Sequence, residues 1–244
     1  MALCALGATA QGQDIEILNA SGAPVPNSTY TAGVNSETGA WTIELRSLYS
    51  PGGLTVYDII GTGGVVIDHL RINVPCWQFG GSCVPAGSPV IVRVLSGDED
   101  GVKSIHKISQ PGDAETILAD VVVRDDIGEI TVESIGILKA GRDIYGPIIA
   151  TTEDNPMRGI SKVSAERDIL GDLITENGRI LEVQATRHIG TEAQPVTVRA
   201  KHGHAFIRST KDLYADIQLG VNDGSGYLWF LDAGSFHGTL HAPR

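Results

Sequence analysis

The chain has 244 residues, and its 18 lysines and arginines against 29 aspartates and glutamates leave a formal net charge of −11 at pH 7. A chain of this length can bury the core of one large or two small domains. Its acidity argues against nucleic acid or an anionic membrane as a partner. Thirty glycines against four phenylalanines and three tryptophans favour a chain with many tight corners and an aliphatic core.

The amino terminus has features of a secretory signal peptide. Residues 2–10 are small and apolar and end in Ala8-Thr9-Ala10, an A-x-A cleavage pattern, although no positively charged segment precedes them. We interpret residues 1–12 as the tail of a truncated signal peptide, with a disordered apolar N-terminus as the alternative. The interpretation predicts a secreted or cell-surface bacterial protein. No apolar run reaches 18 residues, so no membrane-spanning helix is expected.

Residues 13–95 are predicted to be rich in β-strands. Short β-branched segments separated by Gly, Pro and Asn occupy residues 14–18, 40–45, 54–57, 65–67, 70–74 and 89–95. They predict either irregular early coils that cap the repeats and join them continuously, or a small β-sandwich, in which case the acidic segment 96–101 is the linker. We favour the cap, because uncovered ends of stacked strands expose unpaired backbone groups and aggregate.

Two of the three cysteines lie close together in this region. Cys76 and Cys83 flank a glycine-containing loop, whereas Cys4 falls within the predicted signal peptide. In an oxidising compartment a disulfide can close that loop. Two free thiols, or half of a metal site, are the alternatives.

No cofactor or metal site is predicted. The sequence contains no phosphate-binding loop and no cofactor fingerprint. His202-Gly203-His204 has a spacing seen in metal sites but lacks a third ligand. Residues 96–101 are rich in carboxylates that could hold calcium, but they lack the EF-hand pattern, and we favour a solvated acidic loop.

A degenerate repeat covers the second half of the chain. Aligned segments begin at residues 135, 160, 180, 204 and 228, so successive starts lie 25, 20, 24 and 24 residues apart. Their consensus is I-x-x-V-x-A-x-R-D-I-x-G-x-I. Repeats of this length indicate stacked supersecondary units. The alignment places Ile144, Ile169, Ile189 and Leu213 in one internal column.

The repeat alternates apolar and polar residues with period two, as in Ile144, Gly146 and Ile148, which predicts strands rather than helices. In a lone coil of roughly 20–25 residues, ordering the backbone costs more free energy than burying the aliphatic side chains contributes. The coils must therefore stack. Parallel crossovers are overwhelmingly right-handed. We therefore predict an all-β fold, a right-handed parallel β-helix over residues 96–244 that is incomplete at its C-terminus.

The segments 140–146 and 165–171, AGRDIYG and AERDILG, carry a resemblance to secreted bacterial β-helix repeat proteins, such as filamentous-haemagglutinin-like adhesins and uncharacterised surface β-solenoid proteins. The resemblance covers residues 135–244 and is one of repeats only. It implies the β-helix fold and secretion. It implies little about function, because such folds carry adhesins, lyases and plain scaffolds alike.

Two polar columns recur beside the internal aliphatic column. The acidic column contains Asp143, Asp168, His188 and Asp212, and the basic column contains Arg142, Arg167, Arg187 and Lys211. Such columns could support the acid–base chemistry of a polysaccharide lyase or hydrolase. We favour a structural role at a corner, where an Asp side chain accepts hydrogen bonds from its own backbone N–H groups and the basic residues offset stacked negative charge.

Three functions follow from these features. We favour a non-catalytic secreted or cell-surface scaffold, with an adhesive role as one form, whose ligand is a carbohydrate or another cell-surface group. The alternatives are a carbohydrate-active β-helix enzyme and a self-assembling filament of the bactofilin kind. The final repeat keeps the full apolar pattern up to Leu240, which predicts self-association through the C-terminal coil.

Overall fold

The structure is a computed structural model that describes residues 14–46, 55–75, 77–79, 82–84, 89–112, 115–152, 157–220 and 226–242. Within these ranges the regular elements are strands, and no helix occurs. The strands are β1 (Ile15–Leu18), β2 (Tyr30–Val34), β3 (Trp41–Leu45), β4 (Thr55–Gly61), β5 (Val65–Ile72), β6 (Trp77–Phe79), β7 (Ser82–Val84), β8 (Val90–Ser96), β9 (Val102–Ser109), β10 (Thr116–Val123), β11 (Ile127–Val132), β12 (Ser134–Ala140), β13 (Ile148–Ala150), β14 (Gly159–Ala165), β15 (Leu173–Thr175), β16 (Arg179–Ala185), β17 (Val196–Ala200), β18 (Gly203–Ser209), β19 (Asp212–Leu219), β20 (Gly226–Asp232) and β21 (Ser235–His241).

The strands form two long sheets between which the chain alternates. The first sheet has the order β1-β4-β8-β10-β12-β14-β16-β18-β20, and the second has the order β2-β3-β5-β9-β11-β13-β15-β17-β19-β21. In these two sheets, each strand from β3 and β4 onward pairs in parallel with its counterpart in the next coil. This arrangement confirms the predicted all-β class and the parallel stacking of coils.

The parallel pairing begins upstream of residue 96. Strand β4 pairs with β8 and β5 pairs with β9, so residues 55–72 share both sheets with the later repeats. The boundary drawn between residues 95 and 96 lies at the end of β8, inside the stack. Antiparallel pairing occurs at the first strands of the sheets, between β1 and β4 and between β2 and β3. Strands β6 and β7 form a separate hairpin.

The predicted internal column is confirmed. Isolated parallel bridges connect Ile144 to Ile169, Ile169 to Ile189, and Ile189 to Leu213. All four side chains are fully buried. The column also extends upstream, because Ile127 pairs with Ile144 in the same way. Side chains in successive coils therefore lie about one strand spacing, ~4.8 Å, apart.

In two coils a glycine lies two residues after the column residue, at a point where the backbone passes close to the preceding coil. The consensus glycines Gly146 and Gly171 are both buried. A Cβ atom on Gly171 would collide with the carbonyl oxygen of Gly146, and a Cβ atom on Gly146 would collide with the backbone of Gly128 and Glu129. Close backbone approach therefore explains why the repeat has glycine at this position.

The acidic segment 96–101 connects β8 to β9 and is organised by Asp98. The carboxylate of Asp98 accepts hydrogen bonds from the N–H of Gly101 at 2.6 Å and of Gly63 at 2.9 Å. These two backbone donors lower the pKa of Asp98 below its ordinary value. Because Gly63 follows β4, the carboxylate joins the corners of two successive coils.

We expect Ile169→Ala to lower the free energy of unfolding by about 2–4 kcal/mol, since it opens a cavity inside the column. Ile137→Ala is the matched control, because Ile137 is 41% exposed on the outer face of the first sheet, and it should change the free energy of unfolding by less than about 0.5 kcal/mol. Urea denaturation measures both. Equal effects of the two variants would contradict the column.

We expect Asp98→Ala to lower the melting temperature most at neutral pH. Since the pKa of Asp98 is lower in the folded than in the unfolded chain, its stabilising contribution is present above the unfolded pKa and is lost as the pH falls through the folded pKa. The difference in melting temperature between parent and variant should therefore close in acid. Glu99→Ala, at the exposed neighbouring position, is the control; a pH-independent effect of Asp98→Ala would refute the interpretation.

Candidate functional site

The predicted acidic column is a continuous hydrogen-bonded ladder along one corner of the stack. The Asp168 N–H donates to Asp143 Oδ1 at 3.1 Å, and the His188 N–H donates to Asp168 Oδ1 at 3.0 Å. The Asp143 N–H donates in the same way to Asp126 Oδ1 at 3.2 Å. The carboxylates of Asp126, Asp143 and Asp168 thus each accept a backbone N–H of the next coil, where the sequence had suggested one of their own. The bonds therefore join coils as well as shape the corner.

The predicted basic column lies beside this ladder, and its arginines pair one coil back. Arg142 Nη1 lies 3.9 Å from Asp126 Oδ2, Arg167 Nη1 lies 3.7 Å from Asp143 Oδ2, and Arg187 Nη1 lies 3.7 Å from Asp168 Oδ2. The arginine side chains are about half exposed, so each pair contributes little to stability on its own. Lys211 contributes its carbonyl, which accepts the N–H of Gly234 at 2.6 Å.

The ladder extends beyond the residues that the repeat alignment identified. At one end the Asp126 N–H donates to Ser104 Oγ at 3.3 Å. At the other end His188 Nδ1 lies 3.5 Å from Asp212 Oδ2, and Asp212 Oδ1 accepts the hydroxyl of Ser235. Ser104, Asp126 and Ser235 were missed from sequence, although each directly precedes an aliphatic or aromatic residue of the internal column. Extending the alignment by that one rule would have found them.

The arrangement leaves the ladder carboxylates little capacity for catalysis. Neighbouring carboxylates are about one strand spacing, ~4.8 Å, apart, which by itself approaches the separation in retaining glycosidases. In Asp126, Asp143 and Asp168, however, Oδ1 accepts a backbone N–H and Oδ2 faces an arginine. Asp168 is also buried. Protonating or displacing such a group would break the contact between two coils.

A cluster of exposed aromatic side chains lies on the outer face of the first sheet. We call it the aromatic patch, and its residues with their exposed fractions are Phe206 (42%), Tyr227 (51%), Trp229 (63%) and Phe230 (50%). All four belong to the neighbouring strands β18 and β20. The rings of Phe206 and Trp229 meet edge to face, with centroids 5.4 Å apart and an interplanar angle of 71°.

A β-bulge in β20 brings these rings together. Ala205 pairs with Leu228 and Phe206 pairs with Phe230, so the register shifts by one residue at Trp229. A bulge of this kind turns a side chain away from its regular alternation. Trp229 and Phe230 are consequently both exposed, on either side of Phe206.

Two grooves flank Phe206, with volumes of about 350 and 490 Å³. Glu182, which pairs with Phe206 in the register, contributes to both. The smaller groove is lined by Glu182, Val183, Gln184, Phe206, Arg208 and Phe230. The larger groove is lined by Ser161, Arg179, Leu181, Glu182, Phe206 and Trp229. Each groove therefore combines aromatic walls with charged, amide or hydroxyl groups.

Two of the three charged groups that line the grooves are paired with an opposite charge; the third, Arg179, has no carboxylate partner among the described residues. Glu182 Oε1 accepts a hydrogen bond from Lys162 Nζ at 2.8 Å, and Arg208 Nε lies 3.3 Å from Asp232 Oδ2. The amide of Gln184 has no hydrogen-bond partner among the residues that the structure describes, so it is available to a ligand. Sequence reasoning missed this site because its aromatic residues occupy positions outside the repeat consensus.

A histidine–serine pair on the second sheet is the other polar arrangement of interest. His69 Nε2 lies 2.8 Å from Ser109 Oγ. Burial and the nearby Lys107 and Arg71 lower the pKa of His69 and so favour the neutral ring. In the described part of the chain no carboxylate bonds to the other ring nitrogen, so the pair lacks the orienting group of a nucleophilic triad.

Several predicted groups lie outside what the structure describes. Residues 1–12 and Cys76 are outside the described residues, and for Cys83 and His204 only the backbone is described. The backbone of Cys83 pairs with Gln78 in the β6–β7 hairpin. Over the described ranges there is no group of three or more His, Cys, Asp or Glu side chains placed to hold a metal ion. The same ranges contain no helix able to span a membrane.

Comparison of the chain with protein-family models, with curated proteins and with solved structures gave no match. The resemblance to secreted β-helix repeat proteins therefore stays a prediction from the repeat sequence.

We expect Asp168→Ala to lower the free energy of unfolding by about 1 kcal/mol or somewhat more, because it leaves the His188 N–H without its acceptor. Asp168→Asn keeps an acceptor oxygen and loses only the pairing with Arg187, so its cost should be smaller. Chemical denaturation of both variants measures the difference. An Asn variant as unstable as the Ala variant would show that the charge, and not the hydrogen bond, stabilises the ladder.

Proposed function

We propose that the protein is a non-catalytic, secreted or cell-surface β-solenoid scaffold that presents a binding face. The strongest support for this proposal is that the recurring polar residues are already bonded to neighbouring coils. The carboxylates of Asp126, Asp143 and Asp168 each join two coils through a backbone N–H and an arginine. Residues that recur from coil to coil in this way hold the coils together. A catalytic site, in contrast, needs only one set of groups at one place.

The form of the scaffold follows from the strand order. We infer a right-handed winding, because parallel strand–crossover–strand connections are right-handed in nearly all proteins. We also infer that β1 and β2 cap the N-terminal end. Strand β1 pairs antiparallel with β4, and β2 pairs antiparallel with β3. Both lie at the ends of their sheets, in the place that a further parallel coil would occupy. These end strands have only 4 and 5 residues, and short edge strands limit edge-to-edge association.

Secretion is supported by the sequence of the amino terminus and by the cysteine pair. The A-x-A pattern at Ala8–Ala10 favours export. A disulfide between Cys76 and Cys83 requires an oxidising compartment. An adhesive role fits the aromatic patch, because exposed apolar clusters of this kind mark binding surfaces.

Self-association through the last coil is a second candidate function, of the filament kind. Phe236 and Leu240 are 36% and 47% exposed in β21, whereas their partners in the preceding coil, Leu213 and Ile217, are fully buried. Docking of another copy would cover this apolar surface and pair the free edges of β20 and β21. Light scattering at increasing concentration tests this candidate, and a constant monomer mass would exclude it.

We expect the full chain, produced in an oxidising compartment, to contain a disulfide between Cys76 and Cys83. Alkylation after reduction should add two more alkyl groups than alkylation without reduction, and Cys76→Ser with Cys83→Ser should lower the free energy of unfolding by about 2.5 kcal/mol through loss of loop closure. Free thiols at Cys76 and Cys83 in the oxidised product would contradict the secretory part of the proposal.

The same preparation should release no products from acidic or neutral polysaccharides, as measured by new reducing ends and by absorbance of unsaturated sugars. Asp168→Ala should behave identically in this assay. Turnover by the parent that disappears in Asp168→Ala would replace the scaffold by the carbohydrate-active enzyme.

A further inference from the structure

We propose that the aromatic patch and its two grooves form a binding site for a neutral oligosaccharide. The inference deepens the proposed scaffold function by assigning its binding face a ligand, and in that respect it rests on the proposal.

The aromatic residues of the chain are concentrated here. Two of its four phenylalanines and one of its three tryptophans belong to the patch. Aromatic side chains contribute most to stability when buried, yet these four are 42% to 63% exposed on adjacent strands. A contiguous exposed apolar cluster with a polar rim is typical of a binding surface.

The geometry suits a ligand with one apolar face and polar edges. Trp229 leaves the regular alternation at the bulge and meets Phe206 edge to face at 5.4 Å. Phe206 thereby separates two grooves, each of which has a ring as a wall. A sugar ring presents C–H groups on one face, which pack against an aromatic ring, and hydroxyl groups around its edge.

The polar groups of the grooves match those hydroxyls. Gln184 offers an amide donor and acceptor in the smaller groove, and Ser161 offers a hydroxyl in the larger one. Glu182 contributes to both. A carboxylate accepts hydrogen bonds from sugar hydroxyls, and amide and hydroxyl groups both accept and donate them, none of which requires the sugar to be charged.

The charge distribution favours a neutral ligand. Glu182 is paired with Lys162, and Arg208 is paired with Asp232, so these two charges are compensated. Arg179, which lines the larger groove, has no carboxylate partner in the described part of the chain and adds one positive charge there. The chain as a whole has a formal charge of −11, which repels anionic polysaccharides.

The length of the surface fits a short oligosaccharide. Lys162, Glu182, Phe206 and Phe230 form one outward row across four successive coils. Three strand spacings make this row about 14 Å long. The row runs across the strands, so a chain of sugar rings lying along it would contact each coil in turn.

The test is titration of the full chain with neutral oligosaccharides of glucose, mannose, galactose and N-acetylglucosamine, followed by calorimetry and tryptophan fluorescence. We expect at least one to bind with a Kd of about 1 mM or tighter. Phe206→Ala and Trp229→Ala should each weaken that binding at least tenfold, which corresponds to about 1.4 kcal/mol. Both side chains are exposed, so the melting temperature should change little and serves as the check on folding.

Tyr145→Ala is the matched control. Tyr145 is 46% exposed at the corner between β12 and β13, away from the residues that line the grooves. Its removal should leave oligosaccharide affinity within about twofold of the parent, well below the tenfold change that corresponds to 1.4 kcal/mol.

Three results would overturn the inference: no binding at millimolar concentrations, binding that both patch variants retain, or a dimer of the parent that Trp229→Ala dissociates. The third would identify the patch as a protein interface. None of these results alters the disulfide and turnover measurements, so failure of the ligand assignment can be distinguished from failure of the scaffold function.

Discussion

The parallel stacking of coils is the constraint on which the rest of the molecule depends. One coil cannot bury its own aliphatic residues, and its strands have no partners within the coil. Stacking supplies both, since Ile144, Ile169, Ile189 and Leu213 cover one another and the strands on either side share one register. Every inward residue therefore serves two interfaces. This explains why the inward pattern repeats while coil length varies.

The corner ladder supplies hydrogen-bond acceptors to backbone N–H groups at the corners of the stacked coils. Where the chain passes from one sheet to the other, backbone N–H groups leave the regular ladders and need acceptors. A carboxylate one coil back provides such an acceptor at Asp143, Asp168 and His188. Stacked carboxylates repel each other, and the staggered arginines compensate by pairing with the previous coil. His188 occupies one rung without interrupting the chain of contacts, because the column position needs only its backbone N–H to be bonded.

The period-two alternation and the aligned aliphatic positions carried enough information to predict the strands and the internal column. The direction of the ladder bonds could not be predicted, because sequence alignment shows that Asp143 and Asp168 stack without showing which backbone group each one reaches. The earlier coils could not be placed in the repeat alignment because their lengths differ. Strands β4, β8, β10 and β12 start at residues 55, 90, 116 and 134, which are 35, 26 and 18 residues apart, and the β6–β7 hairpin lies within the longest interval.

The residues of the aromatic patch do not recur from coil to coil, so a repeat alignment does not identify them. In the outward row the earlier coils carry Lys162 and Glu182, and the later ones carry Phe206 and Phe230. Outward positions contact only solvent and their neighbours in the row, so they can change without disturbing the column beneath them. Recurrence therefore identifies the residues that hold the stack together. A site assembled once, on a stack whose inward residues are fixed, must instead be sought where the repeat is broken, and the bulge at Trp229 is such a break.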